Sequence, residues 1–121
     1  DSFTAGRGAE RIEFDGCLFY VHRDSSQHDK HLQVNFGRDF LFTGCYFAGE
    51  TKFLMSCKGR TSGTFIDCVA NNCRTLVVHK ADDRFRTIRP GASQWDLSGL
   101  RATGRNHQRV DQRGPLQLGP R

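Results

Sequence analysis

A chain of 121 residues makes one domain with a moderate core. No stretch approaches the ~20 apolar residues of a membrane-spanning helix, and 13 Gly without a helical stripe exclude a helix bundle. The net charge of +5, from 18 Lys+Arg against 13 Asp+Glu, favours a polyanionic partner or simply a soluble surface.

Residues 1–80 read as a β-repeat body and residues 81–121 as basic C-terminal strands and an arm of the same domain. Asp1 to Glu10 is a polar lead-in with a first edge strand through Phe3. Ile12-Glu13-Phe14-Asp15-Gly16-Cys17-Leu18-Phe19 is the first copy of a small pattern. Arg23 to His31 is a polar insertion, and Leu32 to Phe36 alternates as a strand. Phe40-Leu41-Phe42-Thr43-Gly44-Cys45-Tyr46-Phe47 is the second copy, and Lys52 to Cys57 is another strand. Lys58-Gly59-Arg60-Thr61-Ser62-Gly63 is a polar loop leading into the third copy, Gly63-Thr64-Phe65-Ile66-Asp67-Cys68-Val69-Ala70. Asn71-Asn72 is a turn, with the composition of an Asn corner. Cys73 to His79 holds a buried strand. Arg84-Phe85-Arg86-Thr87-Ile88-Arg89 alternates basic with apolar as a guarded edge strand, and Trp95 to Leu100 is a last strand. Arg101 to Arg121 has the composition of a disordered tail.

Each copy places apolar residues at period two on both sides of a two-residue break, as at Phe14 and Cys17 or Phe42 and Cys45. Period two puts them on one face of a strand. The break has two readings. As a corner, it turns Phe and Cys inward from both sides, and successive copies stack into a parallel β-helix. As a tight turn, it makes each copy a hairpin of an antiparallel meander or small barrel, a reading for which Asp15-Gly16 is a strong signal. Ile66-Asp67 is not a hairpin turn, which favours the corner. The expected fold is therefore all-β: a short right-handed parallel β-helix of about three coils with a basic C-terminal segment. The antiparallel arrangement is the alternative.

The Phe-x-x-Cys-x-Phe runs resemble the repeats of pectin-lyase-like right-handed β-helix proteins over about half of the chain. Cys68/Cys73/Val78 and Phe65/Ala70/Thr75, five residues apart, also resemble pentapeptide-repeat proteins, although the period does not continue. Both resemblances imply a fold and carry no activity with them.

The five Cys are odd in number and irregularly spaced. Three of them occupy the inward position of the repeat, which fits reduced core residues in a cytoplasmic environment. Their C-x11-C-x10-C-x4-C spacing lacks paired zinc ligands, so neither a metal nor a cofactor is assigned. Asp24, His28, Asp29 and His31, in the polar insertion, are the candidate catalytic set, with Lys58 and Arg60 as further candidates for an enzyme on a β-helix. Lys58, Arg60, Arg84, Arg86, Arg89, Arg101 and Arg105 are the candidate polyanion-binding residues. Three functions fit this inventory. The first is a non-enzymatic, self-assembling interaction module, because a short solenoid has ends to cover. The second is nucleic-acid binding through the arginines. The third is a small polysaccharide-active β-helix.

Overall fold

The computed structural model describes residues 3–6, 8–21, 30–80 and 93–104, with the side chains of 74, 75 and 78–80 left aside. Twelve strands follow in chain order: β1 (Phe3–Ala5), β2 (Glu13–Asp15), β3 (Leu18–Tyr20), β4 (Lys30–Asn35), β5 (Phe40–Thr43), β6 (Tyr46–Ala48), β7 (Thr51–Lys58), β8 (Ser62–Ile66), β9 (Cys68–Asn71), β10 (Cys73–Lys80), β11 (Gln94–Asp96) and β12 (Leu100–Thr103). They form three four-stranded sheets, ordered β1-β4-β7-β10, β2-β5-β8-β11 and β3-β6-β9-β12. Every strand pair among the described residues is parallel. The chain is a short parallel β-helix, and the antiparallel alternative does not hold.

The parallel register follows from the corner. Gly16, Gly44 and Asp67 occupy the same position of the three copies and all take left-handed backbone, with φ of 66°, 61° and 54°. One left-handed residue between two short strands turns the chain without reversing it, so Phe and Cys both face inward. Asp is among the few residues with a side chain that tolerate this conformation. Asn72, with φ of 64°, makes the expected Asn corner.

Stacking in register converts the repeat into columns. Phe14, Phe42 and Phe65 stack with ring centroids 5.1 and 4.8 Å apart and planes within 13° and 9° of parallel. Phe19 stacks on Phe47 at 4.7 Å, and above them Ala70 and Ala102 complete the column. Phe3, Leu32, Met55 and Val77 form the matching column of the first sheet. The three copies supply layers one to three. A fourth layer, β10, β11 and β12, carries no copy, and Leu100 stands in register with Cys68.

Trp95 belongs to this fourth layer, in register with Gly63, which is in turn in register with Phe40. It is buried, and its indole N–H donates to Thr61 Oγ1 at 2.7 Å. The indole fills the space where a Cβ on Gly63 would sit. Gly63→Ala is therefore expected to destabilise by roughly 1–3 kcal/mol through overpacking. A urea-unfolding midpoint equal to wild type would contradict this packing.

Candidate functional site

The stacked cysteines come first, because the repeat is built on them. All five thiols are free, and four are buried. Cys45 Sγ donates to the Phe14 carbonyl one layer below at 3.4 Å, and Cys68 Sγ donates to the Phe42 carbonyl at 3.3 Å. Each also lies within bonding distance of the carbonyl two residues before it, on Thr43 or Ile66. The thiol is thus a weak donor that serves corner carbonyls while filling an apolar site. Burial pushes the Cys57 thiol up to about 12 and the Cys73 thiol up to about 11. Such groups are unreactive at neutral pH, since the thiolate is the nucleophile. Alkylation of the native protein should therefore modify Cys17, the half-buried member of the first layer, and spare Cys57 and Cys73 until the protein unfolds. Rapid native labelling of Cys57 or Cys73 by mass spectrometry would refute the assignment.

The candidate catalytic residues divide. Asp24, His28 and Asp29 lie outside the described residues. His31 is the second residue of β4 and is fully buried, its ring edge-on to Phe47 at 5.7 Å between centroids. Among the described residues neither of its ring nitrogens has a partner at hydrogen-bond geometry, and its interaction with the Gly49 backbone is too poorly aligned to count as one. Burial lowers its pKa to about 4, which the nearby Gly49 backbone offsets only in part. No group of three His, Cys, Asp or Glu among the described residues is arranged to hold a metal ion.

The candidate basic residues divide as well. Arg84, Arg86, Arg89 and Arg105 fall outside the described residues. Lys58 ends β7 in the first sheet, in register with Asn35 and Lys80. Arg60 is exposed at the following corner, and Arg101 is exposed on β12 in the third sheet. The structure does not gather these three on one strand face.

What it does assemble is an open end. In the first layer Phe3 and Phe14 are half-buried, whereas their register partners Leu32 and Phe42 are fully covered; Ile12 and Cys17 are half-buried too, while Ala5, Phe19 and Val21 of the same layer are buried. At the opposite end Val77, Trp95 and Leu97 are buried, and Leu100 and Ala102 are half-buried. β1, β2 and β3 are edge strands, each paired on one side only among the described residues. On the outer surface of this layer stand Glu13 and Asp15, flanking Phe14, and Leu18 and Tyr20, which are 64% and 58% exposed. Tyr46, in register with Leu18, extends that apolar surface and accepts a hydrogen bond from Asn71 Nδ2 at 3.3 Å. The pattern contained the signal for Leu18 and Tyr20: with Cys17, Phe19 and Val21 inward, the residues between them face out.

The chain matches no protein-family model, no curated protein and no solved structure. Its likeness to known β-helices is one of architecture.

Proposed function

We propose that the protein is a non-enzymatic, self-assembling β-helical interaction module. The observation that carries this reading is the first-layer edge of β2, which pairs on one side only among the described residues and has the half-buried Phe14 beside it. Such an edge combines unpaired backbone groups with apolar surface, the two features that drive strand addition. A second copy of the chain is the simplest cover. The five unpaired thiols suit a reducing, cytoplasmic setting.

Light scattering coupled to size exclusion tests this. A dimer or larger species is expected at micromolar concentration, and a monomer throughout would overturn it. A second reading, polyanion binding, draws on the net charge of +5 and on exposed Arg60 and Arg101. It predicts a complex with a mixed nucleic-acid pool that dissociates steeply as salt rises. An oligomer indifferent to nucleic acid supports the first reading alone.

A further inference from the structure

The open end has an acidic, aromatic, acidic edge. Glu13, Phe14 and Asp15 make up β2, which pairs only with β5 among the described residues. Glu13 and Asp15 are exposed, and neither carboxylate has an ion pair there. Glu10, by contrast, is held by Arg38 at 2.7 Å. Phe42 has a parallel ring on each face, Phe14 below and Phe65 above, whereas Phe14 has one such neighbour and is half-buried. A strand added to β2 therefore meets an aromatic ring between two unpaired negative charges.

We propose that the free edge of β2 docks an extended basic–aromatic–basic strand, and that its occupant is Arg84-Phe85-Arg86 of a second copy of this chain. The inference rests on the self-assembly reading above and names the contact. Charge complementarity carries it. With Phe85 placed over Phe14, Arg84 and Arg86 fall beside the two carboxylates. The charge pattern is symmetric about the Phe, so this holds whether the added strand runs parallel or antiparallel. Opposite charges facing across adjacent strands stabilise the pair, and like charges oppose it. Two copies of β2 edge to edge would set Glu13 and Asp15 against each other, which disfavours that pairing.

Reach separates a second copy from the chain's own segment. β2 lies in the first layer and β10 ends at Lys80 in the fourth. A strand added beyond β2 lies four interlayer steps from the fourth layer, about 19 Å along the axis at the usual strand spacing. Four residues from Lys80 to Arg84 span at most about 14 Å when fully extended. Nothing then remains for the path around the outside of the helix.

The test is a charge swap read by light scattering, with the fold of each variant checked by circular dichroism. Glu13→Lys with Asp15→Lys reverses the acceptor, and Arg84→Glu with Arg86→Glu reverses the donor. Each double variant should weaken assembly roughly tenfold or more. An equimolar mixture of the two should recover it, because each then offers the strand that the other's edge accepts. Assembly that survives both reversals overturns this contact while leaving the self-assembling module intact. A wild-type monomer at all concentrations overturns both. Loss of assembly in each variant without recovery on mixing overturns the pairing.

Discussion

Replacing Phe42 by Ala should destabilise the fold by about 3–5 kcal/mol, the usual cost of removing a fully buried aromatic ring. Phe42 is fully buried and stacks on Phe14 and Phe65, with Phe19 and Phe47 edge-on at 6.0 Å each. Such aromatic pairs are worth about 0.5–1.5 kcal/mol beyond the area they bury. The loss is a large share of a stability that in small domains is about 5–15 kcal/mol. Phe14→Ala removes the same atoms from the half-covered end of the same column and should cost clearly less. The single tryptophan, Trp95, packs between Phe40 and Phe65 at 6.2 and 5.8 Å and reports unfolding by fluorescence. Equal urea midpoints for the two variants would mean that the column does not end at Phe14.

The architecture was legible because inward residues repeat in kind. Phe and Cys recur at fixed offsets from a left-handed corner residue, and Ile66-Asp67, useless as a hairpin turn, distinguished a corner from a reversal. The fourth layer was not legible by that route. Its inward positions hold Trp95 over Gly63 and Leu100 over Cys68, which match the third copy in register and not in residue type, although Ala102 over Ala70 repeats it. Trp95 was expected in a last strand running to Leu100. It instead sits in β11, with β12 following after a corner of its own. Long strands also hid their pattern. In β7, Leu54, Met55, Ser56 and Cys57 are all buried, so alternation fails where the strand is covered on both faces.

The candidate site was less legible, because exposure at a helix end is a property of the stack. Glu13 and Asp15 look like ordinary outward residues of a strand. They flank an open edge only because β2 is the first strand of its sheet. The thiols were read as small hydrophobes, and the hydrogen bonds from Cys45 and Cys68 to the layer below depend on register. His31 shows how neighbours mislead. It closes the polar insertion, and there it groups with Asp24, His28 and Asp29 as a candidate catalytic set. Two residues into β4, the fold buries it completely.

That burial makes stability depend on acid. Folding holds the His31 pKa at about 4, against an ordinary value near 6.5 for the unfolded chain. Between these values the unfolded state binds a proton that the native state refuses, so the unfolded state gains as pH falls. The contribution is whole above about pH 6.5, declines towards pH 4, and is spent below it. Its full size is about 3 kcal/mol. Other groups also titrate in this range, so the informative quantity is the difference between wild type and His31→Leu. Leu keeps an apolar side chain at the site and removes two buried nitrogens that have no partner at hydrogen-bond geometry among the described residues, which costs little or even stabilises at neutral pH. Urea unfolding at pH 7.5 and 4.5 should show a fall in wild-type stability that is ~2 kcal/mol larger than in the variant. Equal falls would mean that His31 is protonated in the folded protein, and hence that its ring has found a partner or solvent.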